Sequence, residues 1–216
     1  MDDAVLQDPR PFSADGFRKR AVRQTGGPLE TAWREHGDHL LNPELVRITT
    51  GLKLKDAAVL VPVVDDGDEA KVILTQRTAT LRKHSGQIAF PGGAIDPEDG
   101  SPERAAVREA QEEIGLDPRF VEPLARLPDY YAGTGFRITP VLAVVRRGFE
   151  LELNPTEVAD VFEVPLSFLM NEANHQRGSR MLDGAERQFY LMPYQNRNIW
   201  GITAGILRTL YERLYA

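Results

Sequence analysis

Apolar and polar positions follow two rhythms along the chain, and these mark out most of its elements. Residues 57–64 form an unbroken apolar run rich in β-branched side chains, of the length of a buried strand. Pro62 lacks a backbone donor, which predicts a sheet edge or a bulge inside that run. Asp65-Asp66-Gly67-Asp68 reads as a turn and 71–76 as the returning strand. A polar loop over 78–86 leads to a short apolar segment at 87–90 and a turn at Pro91-Gly92-Gly93. Further strands are expected at 120–127, 138–145, 151–153 and 188–192, with a helical stretch after Pro165 around Phe168 and Leu169. At the C-terminus Ile199, Ile202, Ile206, Leu207, Leu210 and Leu214 fall on one helical face and read as core. Near the N-terminus Ser13 is a candidate cap for a helix carrying Phe17, Ala21 and Val22.

The best-framed element lies mid-chain. Ser101 reads as N-cap, Pro102 as first helical residue and Glu103 as a first-turn acid, while Gly115 and then Pro118 supply the stop. A helix of about fourteen residues follows. Strands and helices mixed in this order predict an α/β fold, a mixed sheet covered by helices. Residues 1–55 are expected to form an N-terminal helical extension packed on the core, and 56–216 the main domain. No repeat divides the chain.

Composition narrows the function classes. A length of 216 residues allows one domain with embellishments. The balance of 26 basic and 32 acidic residues, a net −6, argues against a nucleic-acid-binding domain, which needs a basic face. With no cysteine, disulfides, iron–sulfur clusters and thiol nucleophiles are excluded. Met1-Asp2-Asp3 opens no signal-like leader and the longest apolar run is too short for a bilayer, so the expectation is a cytoplasmic protein with no membrane partner.

Within the framed helix Glu109, Glu112 and Glu113 stand at relative positions 0, 3 and 4. At about 100° per residue, Glu112 lies about 60° to one side of Glu109 and Glu113 about 40° to the other, so the three share a face. Like charges at that spacing repel, and a hard divalent cation removes the penalty. Oxygen-only donors on one rigid element suit Mg²⁺ or Mn²⁺. A glutamate-rich helix face more often signals plain solvent exposure. Arg108, Glu109, Glu112, Glu113 and Gly115 at these fixed offsets, however, are expected by chance on the order of 10⁻⁴ times in a chain this long, about tenfold more in helical sequence.

Gly92-Gly93-Ala94-Ile95-Asp96-Pro97 through Arg108-Glu109 to Glu112-Glu113-Ile114-Gly115-Leu116 resembles the signature box of the Nudix hydrolase family. That resemblance implies a Nudix-type α/β/α sandwich with a mixed β-sheet and a metal-dependent pyrophosphatase. Glu109 and Glu113 would be metal ligands, Glu112 a third ligand or a support, and Arg108 an orienting group. One extra residue in the loop puts Asp99 where the general motif has Glu, and Asp99 receives no metal role. Leu74-Thr75-Gln76-Arg77 followed by Leu81-Arg82-Lys83-His84-Ser85-Gly86 and Phe90-Pro91-Gly92-Gly93 is similar to the extended signature of the coenzyme A pyrophosphatase branch. Segments at 135–140, 161–166 and 199–205 also fit that branch, and the likeness covers roughly residues 55–212.

By this resemblance the substrate is a small molecule, coenzyme A or a thioester, cut at its diphosphate to 3′,5′-ADP and 4′-phosphopantetheine or its acyl form. Arg77, Arg82 and Lys83 would hold phosphates, with His84 a weaker candidate, and Gly92 and Gly93 would let the backbone approach them. Glu112 or Glu157 would be the general base. Tyr130, Tyr131 and Phe136, read as loop residues, are candidates for stacking on an adenine. The rival readings are a Nudix enzyme for ADP-ribose, NADH or another nucleoside diphosphate derivative, and a non-catalytic nucleotide-binding module. A homodimer stays open.

Overall fold

A computed structural model describes residues 10–43, 54–79, 86–182 and 184–216. The backbone of the architecture is β1 (Lys55–Val64) lying parallel to β7 (Phe136–Val145) along ten residue pairs, Lys55 opposite Phe136 to Val64 opposite Val145. Both strands are apolar on both faces, as a strand covered on two sides must be. Around them β2 (Lys71–Arg77), β3 (Ile88–Ala89), β4 (Gly92–Ala94), β5 (Val121–Arg126), β6 (Tyr130–Ala132) and β8 (Val158–Pro165) complete an eight-stranded mixed sheet in which the other pairings are antiparallel. β9 (Gln176–Leu182), β10 (Ala185–Tyr194) and β11 (Arg197–Trp200) form a separate antiparallel sheet.

Helices cover both faces. On one, α3 (Pro102–Ile114) presses Ala105, Ala106, Ala110 and Ile114 onto Ala58, Leu60, Val141 and Val145. Its small inward side chains bring the helix axis close to the sheet. On the other, α1 (Ala14–Arg23) and α5 (Ile202–Leu214) pack Phe17, Ile206, Leu207 and Leu210 against Val61, Val63, Leu142 and Val144. The short helices α2 (Leu29–Ala32) and α4 (Leu166–Leu169) fill the margins. Among the described residues no helix is long and apolar enough to cross a membrane.

Several expectations are corrected. Pro62 lies within the central strand. Leu60 N donates to Pro91 O, so the Pro62 nitrogen two residues on faces the same side, where β4 has ended at Val59 and β2 starts only at Val63. A gap between two partners thus accommodates the missing donor. Residues 151–153 form no strand; Glu152 N and Asn154 N instead donate to Ile114 O and Glu113 O, the open carbonyls at the end of α3. The turn at Gly92-Gly93 is the strand β4, and Ile199 belongs to β11 rather than the C-terminal helix, though it is fully buried. Val22 is 75% exposed instead of facing the core. Tyr130 and Tyr131 lie on β6, with Tyr130 in the core.

Candidate active site

Local sequence holds α3 rigidly at both ends. The Ser101 hydroxyl accepts from Arg104 N at 3.3 Å, and Gly115, at φ 68, turns its N–H back onto the Ala110 and Gln111 carbonyls. Each cap contributes about 1 kcal/mol. The acidic face of this helix meets the strand β4. Gly92 N donates to Glu113 Oε2 at 3.1 Å, which anchors a carboxylate only 3% exposed. A β-carbon on Gly93 would lie 2.5 Å from the Glu109 carboxyl carbon, so that carboxylate occupies a cradle that only glycine leaves open. At Gly92, whose φ is 156, a side chain would run into the Ala58 carbonyl and the Val59 backbone.

Arg108 links the loop to the face. Its Nε and Nη2 donate to Asp99 at 2.8 and 2.9 Å, its Nη1 to Glu109 and Glu112 at 2.9 and 3.1 Å, and its Nη2 to the Ala94 carbonyl at 3.2 Å. Asp99 also accepts from Asp96 N at 2.8 Å. The Arg108 guanidinium holds the Asp99 carboxyl below the ordinary carboxylate range. The extra loop residue therefore leaves Asp99 as the anchor of Arg108.

On the far side of Glu113, Arg77 at the end of β2 stands with Nη1 3.5 Å from Oε1. Glu157 is brought alongside by two bonds: Thr78 N, the next residue of β2's exit, donates to its carbonyl at 3.0 Å, and Asn154 Nδ2 donates to its Oε1 at 3.3 Å. Burial pushes the Glu113 carboxyl up to about 7, the charges of Glu109 and Glu157 push the same way, and Gly92 N–H and Arg77 only partly oppose them. Burial likewise raises Glu109, against the pull of Arg108 and with help from Glu112 and Glu157. Six carboxylates, Asp96, Asp99, Glu109, Glu112, Glu113 and Glu157, thus surround two guanidiniums, Arg77 and Arg108.

Oxygen-only donors, an excess of negative charge and the cradle at Gly93 fit a hard divalent cation. The carboxylates do not form a ready-made cage: among the described residues no group of three His, Asp or Glu side chains stands in cation-holding array, and Arg108 occupies one oxygen each of Glu109 and Glu112. The structure brings together Arg77, Gly92, Gly93, Glu109, Glu112, Glu113 and Glu157. Arg82, Lys83 and His84 lie outside the described residues. Sequence reading missed Asn154, which donates through its backbone to Glu113 O and through its side chain to Glu157. The Asn154-Pro155-Thr156 triplet, whose Asn154 Oδ1 accepts from Thr156 N and Oγ1, was its turn signal.

The site is an acid-faced helix clamped over a glycine strand on a mixed sheet, and comparison with known proteins gives it a family. The NUDIX domain family model matches residues 54–183. Proteins named uncharacterized Nudix hydrolase NudL, from Cronobacter sakazakii and Citrobacter koseri, are each 42% identical over 171 residues, covering 79% of this chain and 88% of theirs. A solved Nudix hydrolase from M. smegmatis, RenU, is 30% identical with a TM-score of 0.41, covering 51% of this chain and 70% of its own. The chain belongs to the Nudix hydrolase family, enzymes that act on the pyrophosphate bond of nucleoside diphosphate derivatives and generally use divalent cations.

Proposed function

We propose that this hydrolase cleaves coenzyme A or its thioesters at the diphosphate, releasing 3′,5′-ADP and 4′-phosphopantetheine or its acyl form. The observation that carries this reading is the meeting of two motifs: Arg77, from the segment similar to the coenzyme A pyrophosphatase signature, stands 3.5 Å from Glu113 of the Nudix box. Glu109 and Glu113 would hold Mg²⁺ or Mn²⁺, with Glu112 as third ligand or support. The cation, when bound, supplies charge neutralisation and activation of water.

The chain's own groups supply the rest. Arg77 offers a planar fork of donors to a phosphate oxygen, and pairing with the substrate draws it away from Glu113. Arg108, anchored on Asp99, fixes one oxygen each of Glu109 and Glu112. The general base is Glu157 or Glu112, and burdens on the two differ. Glu112 is committed to Arg108 through Oε2 on a side chain 59% exposed, whereas among the described residues Glu157 has only Oε1 engaged, by Asn154, and sits across the face from the helix. Glu157 Oε2 is accordingly the better-placed acceptor for the proton of the attacking water.

The test is incubation of the full chain with coenzyme A, with and without Mg²⁺ or Mn²⁺, and identification of products by mass spectrometry beside ADP-ribose and NADH. Cation-dependent release of 3′,5′-ADP supports the assignment. Faster cleavage of ADP-ribose or NADH redirects it within the family, and no turnover of any of the three with either cation overturns it in favour of a nucleotide-binding module.

A further inference from the structure

A row of three side chains crosses the sheet beside the acidic face, and the reaction described so far leaves it unused. Asp56 on β1 is opposite Arg137 on β7, and Arg137 is opposite Tyr131 on β6. Directly paired residues share a face, and these three alternate with Ala57, Ile138 and Tyr130, which enter the core on the α1 and α5 side. The row therefore lies on the face that carries α3. With Leu54 it lines a cavity of ≈ 270 Å³. That is slightly below the range of about 300–1,000 Å³ for pockets that take a whole small molecule, the size for one end of a larger ligand.

The cavity adjoins the reaction centre through one strand edge. Ile95 N donates to the Asp56 carbonyl at 3.0 Å, and the preceding residue's carbonyl, Ala94 O, accepts from Arg108 Nη2 at 3.2 Å. Its chemistry is that of a flat, polar-edged ring. Tyr131 supplies an aromatic wall whose orientation is fixed by Trp33, centroids 4.7 Å apart. Arg137 Nε donates to Asp56 Oδ1 at 2.8 Å, leaving Asp56 Oδ2 uncommitted among the described residues. Asp129 lies 3.9 Å from Arg137, so two carboxylates attend one guanidinium. Such a set repels phosphate and accepts hydrogen bonds from an exocyclic amino group.

We infer that Asp56, Tyr131 and Arg137 form the purine-base subsite, in which the adenine of the substrate stacks on Tyr131 and donates its amino group to Asp56. The inference rests on the reading of the chain as a nucleoside diphosphate hydrolase and names which half of the substrate lies here. Of the three candidate stacking residues Tyr130, Tyr131 and Phe136, burial of Tyr130 and packing of Phe136 on the core leave Tyr131.

Binding of 3′,5′-ADP, its hypoxanthine counterpart and 4′-phosphopantetheine to the full chain, by calorimetry in chelator, tests the subsite apart from catalysis. Tyr131→Ala is expected to weaken 3′,5′-ADP by about tenfold and Tyr131→Phe by less than about twofold, with 4′-phosphopantetheine unchanged by either. Asp56→Asn, which retains a partner for Arg137, is expected to erase the preference for adenine over hypoxanthine. Unchanged 3′,5′-ADP affinity in Tyr131→Ala, or weakening of 4′-phosphopantetheine instead, overturns the subsite, even if the wild-type chain cleaves coenzyme A. Base binding through Tyr131 in a chain that leaves coenzyme A intact keeps the subsite and removes only the coenzyme A assignment.

Discussion

Two charged clusters in this molecule are built from the same residue types and behave oppositely. At the β1–β2 turn, Arg147 donates to Asp66 at 3.0 Å and forks onto Glu163 at 2.6 and 2.8 Å, while Lys71 lies 2.6 Å from Asp66. Two cations meet two carboxylates in solvent, and hydrogen bonds from Arg147 and Lys71 hold the Asp66 carboxyl down at about 2. Around α3 six carboxylates meet two cations, and burial of Glu113 pushes its carboxyl up to about 7. The first arrangement is complete as it stands. The second is short of positive charge, and the shortage is concentrated on the residues proposed to bind a cation.

The contrast is sharpest under substitution. Glu113→Gln removes a proposed ligand and a buried charge together, so we expect turnover to fall by at least about 100-fold while the chain in chelator melts no lower than wild type. Steady-state assays and calorimetry check both halves; near-normal turnover, or a large drop in melting temperature, would refute the picture of a strained acidic face. Gly93→Ala should cost about 10- to 100-fold in turnover by displacing the Glu109 carboxylate, because the new methyl and that carboxyl cannot share the cradle. Full activity would show that Glu109 has no fixed role.

Stability away from the site should respond differently. Phe17→Ala, in a fully buried position between α1 and the sheet, should cost about 3–5 kcal/mol by urea denaturation. A loss below about 1 kcal/mol would mean that the N-terminal helix adds little to the core. The smallest effect belongs to the balanced cluster. Since the folded pKa of Asp66 is depressed, its contribution is present above the ordinary aspartate range and is lost as pH falls through about 2. Solvent screening limits it to less than about 1 kcal/mol. Asp66→Asn should thus be slightly less stable than wild type at pH 6 and converge with it near pH 2, and a gap that widens in acid would contradict the assignment.

What the sequence disclosed follows the range of the interactions involved. Capping of α3 by Ser101, Pro102 and Gly115, and the shared face of its glutamates, depend on residues within a few positions, and they are readable by periodicity alone. Arg77 and Glu157 come to that face through strand pairings distant in sequence, and only the family likeness pointed to them. The expectation of a strand at 151–153 failed because an apolar alternation cannot reveal that its backbone donors serve a helix end. Pro62 was misjudged for a related reason, since a gap between two partner strands has no local signature. Tyr130 and Tyr131 are adjacent and chemically identical, yet strand alternation buries one and leaves the other at a cavity wall.

The docking of β8 on β2 has a further consequence for the order of assembly. The tie between Thr78 and Thr156 spans 78 positions and, with the neighbouring bond from Thr78 N to Glu157 O, helps to seat Glu157 beside the helix. Long-range pairing of this kind forms late in folding. A chain still emerging from synthesis can therefore complete its acid-bearing helix well before Glu157 reaches its place beside it.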